Sequence, residues 1–327
     1  MPTIWESTDA AASTGTAYSL VPGNQFGGNV SVGGDRDWVK AVVSAGYGYA
    51  FSIVGDDSRG AKLNYPAIQL RNADGTLNGS TDDFVGLNTL TAGTYYLDAG
   101  AQYASYTGNY LITSVREVAA NIASKASVAV NASYKGTIDY GGDHDWLKVQ
   151  LTAGNAYVFR VVSNDSSGAG VYSPRIQLRN PDGTTNGSAD DAFGFTAAAS
   201  GGHFLDVSGY YSSSTYTGNY RVEVLEEVAA ATTTKAVIAP NGTYRGSLDY
   251  EGDHDWVKVS LVAGQTYVFR IGSDDAAGDP VSYPYLQVRN ADARPTGAGP
   301  TSSSSRPRNR ASIISMPTPV AGTRETI

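Results

Sequence analysis

Apolar and polar residues alternate along this chain with a period of two. Leu147, Val149 and Leu151 are separated by Lys148 and Gln150. Tyr157, Phe159 and Val161 are separated by Val158 and Arg160, and Ile176 and Leu178 by Gln177. Successive side chains of a strand point to opposite faces, so these runs predict strands with one buried face. Val, Ile, Tyr, Phe and Thr fill them, residues that suit a pleated, half-buried surface. Between the runs lies turn chemistry. Ala45-Gly46, Ala153-Gly154 and Ala263-Gly264 have the look of hairpin loops, and Asp74-Gly75 and Asp182-Gly183 place glycine where a turn needs positive φ. Roughly seven or eight short strands per hundred residues, with turn signals every 8–12, predict an all-β fold of antiparallel β-sandwiches.

The same pattern returns along the chain. Asp35-Arg36-Asp37-Trp38-Val39-Lys40 is matched by Asp143-His144-Asp145-Trp146-Leu147-Lys148 and by Asp253-His254-Asp255-Trp256-Val257-Lys258, at offsets of 108 and 110 residues. That period exceeds the roughly 20–50 residues of a solenoid repeat and equals a small domain. We read three copies: residues 15–118, 125–228 and an incomplete 235–292. The Ala-rich stretches Val115 to Ser127 and Val224 to Val237 read as linkers with room for a short helical turn.

Copy three stops matching after Asp292. The turn glycine becomes Ala293, and the counterparts of Asp190-Asp191 are Pro300 and Thr301. Residues 293–327 are rich in Pro, Ser and Arg, and are expected to lack stable structure. Ile314-Ser315-Met316 occupies the positions of Phe204-Leu205-Asp206, and a reading frame set back by one base turns Ser315-Met316 into Leu-Asp. The hypothesis is a one-base frameshift near codon 293. A gene whose other frame does not continue the repeat would rule it out.

Composition narrows the class. The 327 residues include no Cys, so disulfides and thiolate metal sites are absent, and a net charge of −8 argues against nucleic acid or an anionic membrane as partner. No apolar run approaches a membrane span of roughly 20 residues. The abundance of Gly, Ser, Thr and Tyr suits an extracellular bacterial protein, although the N-terminus lacks the signature of a secretory signal peptide.

Candidate chemistry is carried by acidic residues. Asp35 and Asp37, Asp143 and Asp145, and Asp253 and Asp255 each precede a strand; Asp82-Asp83 and Asp190-Asp191 follow the Asp-Gly turn. Ca²⁺ takes six to eight oxygen ligands, carboxylates of flexible loops among them, so these ten residues are candidate Ca²⁺ ligands. The competing reading is that each Asp caps a turn. No His-Glu-x-x-His or Gly-x-Ser-x-Gly motif is present. His144 and His254 are equivalent to Arg36, an exchange that a zinc or catalytic role would not tolerate, so they read as surface loop histidines. Trp38, Trp146 and Trp256 fall out of register with the Val/Leu face, and so either cover the outer face beneath a loop or stand exposed. Tyr210, Tyr211 and Tyr216 suit a polysaccharide or an extracellular protein surface.

In order, these motifs resemble the bacterial pre-peptidase C-terminal domain. The shared features are a strand opening Gly-Asp-x-Asp-Trp-x-Lys, then Ala-Gly-x-x-Tyr-x-Phe, a Pro-x-Ile/Leu-x-Leu strand, an acidic pair, Gly-x-Tyr/Phe-x-Leu-Asp and Thr-Gly-x-Tyr. The resemblance implies jelly-roll-like β-sandwiches that act as accessory parts of secreted proteins, often metallopeptidases. Such parts are proposed to aid export, localisation or attachment to insoluble material, and related collagen-binding modules use Ca²⁺. Tandem copies also occur in proteins exported by type I systems, which read an uncleaved C-terminal signal. The expected function is therefore a non-catalytic extracellular targeting array. The alternatives are a fragment of a secreted metallopeptidase without its catalytic domain, or a structural spacer or surface-layer protein.

Overall fold

A computed structural model of the chain describes residues 1–79, 83–164, 166, 168–187, 191–273, 281–296 and 311–317. The first unit contains β1 (Thr3–Trp5), β2 (Ser19–Leu20), β3 (Gln25–Val30), β4 (Asp37–Val43), β5 (Tyr47–Gly55), β6 (Pro66–Arg71), β7 (Phe84–Asn88), β8 (Gly93–Ala101) and β9 (Gly108–Val118). They form two sheets, β1-β3-β9-β5-β7 and β2-β4-β8-β6, antiparallel except where β1 and β2 join their neighbours. The second unit repeats this plan with β10 (Ala132–Ile138), β11 (His144–Leu151), β12 (Ala156–Ser163), β13 (Pro174–Arg179), β14 (Ala192–Thr196), β15 (Gly201–Gly209) and β16 (Gly218–Glu227). Its sheets run β10-β16-β12-β14 and β11-β15-β13. These are jelly-roll-like β-sandwiches.

The alternating residues meet between the sheets. Val39, Phe51, Ile53, Ile68, Leu97 and Ile112 are buried in the first core, and Leu147, Phe159, Val161, Ile176, Leu205 and Val222 in the second. Burial of such side chains contributes roughly 1.5–3 kcal/mol each and holds the two sheets together. The first strand and the linker starts differ from the sequence reading, while the ends read for copies one and two, 118 and 228, match the last strands to within a residue. The strand β1 pairs with β3, so the first sheet starts before residue 15. The last strands run on to Val118 and Glu227, because Tyr110, Ile112 and Ser114 keep alternating inward, as do Tyr220, Val222 and Val224. The segments that follow are turns and extended chain, without helix.

The third unit has β17 (Val237–Ile238), β18 (Trp256–Leu261), β19 (Leu286–Arg289) and β20 (Ala311–Pro317) in one sheet, ordered β17-β18-β20-β19. The counterparts of β10 and β12 form no ladder. In unit two both pair with β16, whose counterpart lies past the repeat's break. The consequence is exposure: Val268 is 76% exposed where its equivalent Val158 is 0%. Where a structureless tail is the expectation, β20 lies between β18 and β19, in the slot that β15 fills between β11 and β13. Ile314 faces Lys258, just as Phe204 faces Lys148. The direction is parallel, however, whereas β15 is antiparallel to both neighbours. Residues 297–310 and 318–327 of that tail lie outside the described residues. Ala293 takes φ +72°, close to the +84° and +87° of Gly75 and Gly183, so the turn persists with a residue that bears the strain of a Cβ.

Candidate functional site

The acidic residues gather where one unit meets the next. At the first boundary the last strand of unit one delivers Glu117, the end of β10 delivers Asp139, and the turn before β11 delivers Asp143. One carboxylate oxygen from each lies within 4.8 Å of the other two. At the second boundary Glu227, Asp249 and Asp253 make the same set, 110 residues further on. The turn is built by its own backbone: Asp139 N–H donates to Asp143 Oδ2 at 2.8 Å, and Asp249 N–H to Asp253 Oδ2 at 2.7 Å. Asp143 Oδ1 and both oxygens of Glu117 are buried without a donor among the described residues.

An aromatic contact holds each boundary shut. Tyr140 lies on Phe84 at 4.4 Å between ring centroids and covers Gly86, where a Cβ would come within 2.6 Å of its hydroxyl. Tyr250 covers Gly194 in the same way. Val32 stands at the equivalent position of unit one. Arg160 Nη2 also donates to the Asp249 carbonyl at 2.8 Å across the second boundary.

This enclosure sets the electrostatics. Burial first, then the charges of Asp143, Asp139 and Asp145, raise Glu117 above the usual carboxylate range. Burial first, then a hydrogen bond that its protonated form donates to Asp249, raises Glu227. Burial likewise raises Asp143 and Asp253, against the backbone hydrogen bonds they accept. Two unit charges about 4 Å apart repel by about 4 kcal/mol at an effective dielectric of 20. The triad therefore needs either protons or a cation. Oxygen-only donors of this kind match hard divalent ions, Ca²⁺ foremost, with backbone oxygens or water completing the six to eight ligands.

Unit one has a third set, Glu6, Asp9 and Asp37. It is differently made, because Ser31 replaces Asp139 and Asp35 is engaged by the Ser31 and Arg36 N–H groups at 3.1 and 2.9 Å. Glu6 already accepts two backbone N–H donors, from Ala10 and Asn29, each at 2.7 Å. Burial first, then the Glu6 charge, pushes Asp37 up to about 8.

The Asp-x-Asp pairs are split. Asp143 and Asp253 face the boundaries. Asp37 and Asp145 turn into the sandwich, where they accept hydroxyls from Tyr110 at 2.8 Å and Tyr220 at 2.6 Å. Asp255 is buried as well, and Oδ1 of all three residues, Asp37, Asp145 and Asp255, has no donor among the described residues. Asp83 and Asp191 are exposed at the starts of β7 and β14, and their backbone carbonyls accept N–H bonds from Ile53 and Val161. Asp82 and Asp190 lie outside the described residues. Sequence reasoning missed Glu117, Asp139, Glu227 and Asp249. The available signal was the offset itself, which aligns Asp9, Glu117 and Glu227, and Asp139 with Asp249.

The histidine that read as a surface loop residue has a structural partner. His144 Nδ1 lies 2.8 Å from Asp206, which also takes Arg179 Nε at 2.7 Å. In unit one Arg36 and Arg71 hold Asp98 in the same way, both at 2.6 Å. The Arg-to-His exchange thus keeps a nitrogen against a buried carboxylate, and the hydrogen bond to Asp206 raises the His144 pKa above its usual value. Trp38 and Trp146 share this outer face, opposite Asp98 and Asp206 in register. They pack on Tyr96 and Phe204, with Arg71 and Arg179 above them and Gly75 and Gly183 of the Asp-Gly turns alongside. The tryptophans cover the outer face beneath a loop.

No protein-family model matches the chain, and no curated protein matches it. Among solved structures it is similar to a periplasmic inhibitor of g-type lysozyme from Aeromonas hydrophila, at 15% identity and a TM-score of 0.22, over 30% of this chain and 96% of that one. It is also similar to the CUB1-EGF-CUB2 region of human MASP-1/3, at 7% identity and a TM-score of 0.17, over 61% and 99%. Similarities this low define no family.

Proposed function

We propose that this chain is a non-catalytic extracellular array of β-sandwich modules that anchors or positions a secreted protein on external material, with Ca²⁺ held at the module boundaries. The observation that carries the reading is the carboxylate triad assembled twice from the same positions, Glu117/Asp139/Asp143 and Glu227/Asp249/Asp253. At the first boundary it leaves buried oxygens for which only a proton or a cation can compensate. The non-catalytic part is supported by His144, bound to Asp206 and replaced by Arg36 in unit one. A second reading, a rigid spacer, is favoured by the Tyr140–Gly86 and Tyr250–Gly194 contacts. Isothermal titration of the metal-free chain with CaCl₂ tests the Ca²⁺ reading. Glu117→Gln with Asp143→Asn should remove one binding event and leave another. Equal heats from both proteins, or no saturable binding, would refute it.

A further inference from the structure

Two groups of tyrosines contrast in this protein. Tyr110, Tyr157 and Tyr220 are buried in the sandwiches. Another group stands out of one end of each unit. In unit one Tyr65 and Tyr103 are 57% and 53% exposed and meet edge to face at 5.6 Å, with Tyr106 at 5.2 Å from Tyr65. In unit two Tyr172, Tyr210 and Tyr211 are 64%, 49% and 60% exposed. Tyr216 joins Tyr172 at 5.5 Å and Tyr211 at 5.3 Å. Beside Tyr210 runs an open groove of about 550 Å³, lined also by Ser163, Arg175 and Asp191.

The backbone is strained at this place in every unit. Tyr65, Ser173 and Tyr283, equivalent by the offsets 108 and 110, have φ of +52°, +48° and +58°, and each precedes a proline. Left-handed backbone is costly for a residue with a Cβ, and a following proline disfavours helical conformations further. Three repeats of an outlier costing on the order of 1–3 kcal/mol each point to a functional demand on that loop. In units one and three the strained residue is itself a tyrosine. In unit two the ring moves one residue back, to Tyr172.

We propose that each tyrosine ledge is a binding site for a neutral polysaccharide, and that successive ledges engage one polymer together. The inference names the partner class of the attachment array above and rests on that reading. Three observations select this occupant. Ring faces and edges in the open, with polar groups at the margin, offer stacking to the C–H faces of pyranoses and hydrogen bonds to their hydroxyl rims. A peptide adding as a strand finds the backbone paired here, because Gln102 N–H donates to the Tyr65 carbonyl at 2.8 Å and Tyr210 N–H to the Ser173 carbonyl at 3.1 Å. The net charge of −8 disfavours polyanionic glycans.

Affinity electrophoresis of the whole chain in native gels tests it, with hydroxyethylcellulose, xyloglucan or glycol chitin as neutral probes and alginate and gelatin as contrasts. At least one neutral glycan should retard the chain. Tyr65→Ala with Tyr103→Ala, or Tyr172→Ala with Tyr211→Ala, should each weaken retardation by about ten-fold or more, through lost multivalency. All four changes together should abolish it, while the corresponding Phe variants retain part. Calcium titration of the same variants should be unchanged, which separates the ledge from the boundary sites. Retardation by alginate or gelatin alone, by no polymer, or equally for wild type and the quadruple variant would overturn the proposal, whatever the calcium result.

Discussion

Tyr220 shows how one side chain serves packing and polarity at once. Its ring is buried in the second core, and its hydroxyl donates to Asp145, a carboxylate 1% exposed whose burial holds it well above the normal acid range. Tyr220→Phe keeps the ring and removes the donor, leaving the buried carboxyl unsatisfied at a cost of roughly 1–3 kcal/mol. The unit-two unfolding transition should fall in temperature in scanning calorimetry, and an unchanged midpoint would contradict the assignment. The pairing was not legible in the sequence. Asp145 and Tyr220 are 75 residues apart, and Asp-x-Asp before a strand reads equally as a ligand pair or a turn cap. What the repeat did reveal was His144 opposite Arg36. The sequence showed that the position tolerates exchange, and the structure supplies the reason in Asp206 and Asp98.

Strands were the most readable level, because period-two alternation follows directly from the pleat and the core is filled by those residues. Their ends were less readable. Arg116-Glu117 and Glu226-Glu227 look like linker, yet Glu117 and Glu227 belong to β9 and β16 and bring carboxylates to the boundaries. Charged residues end an alternation without ending the hydrogen-bond ladder. The glycines of β7 and β14 gave no sequence signal either, since their role is to admit a tyrosine from the next unit. Gly86→Val should expel Tyr140 and loosen the first boundary, so trypsin should cut after Lys125 faster than in wild type. Gly201→Ala, with nothing near its Cβ, is the matched control and should leave the rate unchanged. Equal cleavage of Gly86→Val and wild type would show that the contact does not hold the boundary.

Taken together, the units are unequal. The first two close both sheets over their cores. The third has one sheet among the described residues, and its Val268 lies in water where no strand of the described residues pairs with its segment. The break in the repeat at Ala293 made this legible in advance. The parallel course of β20 was not, because direction is set by which backbone groups remain unpaired rather than by side-chain pattern. Charge adds a pH dependence. Glu117, Glu227, Asp37 and Asp255 all have raised folded values, Asp37 up to about 8 and Asp255 up to about 7. Without cation, their contribution is fully present below their unfolded values near pH 4, and is lost as pH rises through the folded ones. Ca²⁺ acts in the opposite sense, since it requires the ionised carboxylates.

Scanning calorimetry of the whole chain at about pH 5 and about pH 8, with EDTA and with millimolar CaCl₂, tests this account most directly. The expected result is a lower transition at the higher pH in EDTA, restored by CaCl₂. At about a hundred times its dissociation constant the ion adds about 2.7 kcal/mol per site, and Glu117→Gln with Asp143→Asn should lose the part of this gain that belongs to the first boundary. Transitions at the higher pH that are the same in EDTA and CaCl₂ would contradict a cation at the module boundaries.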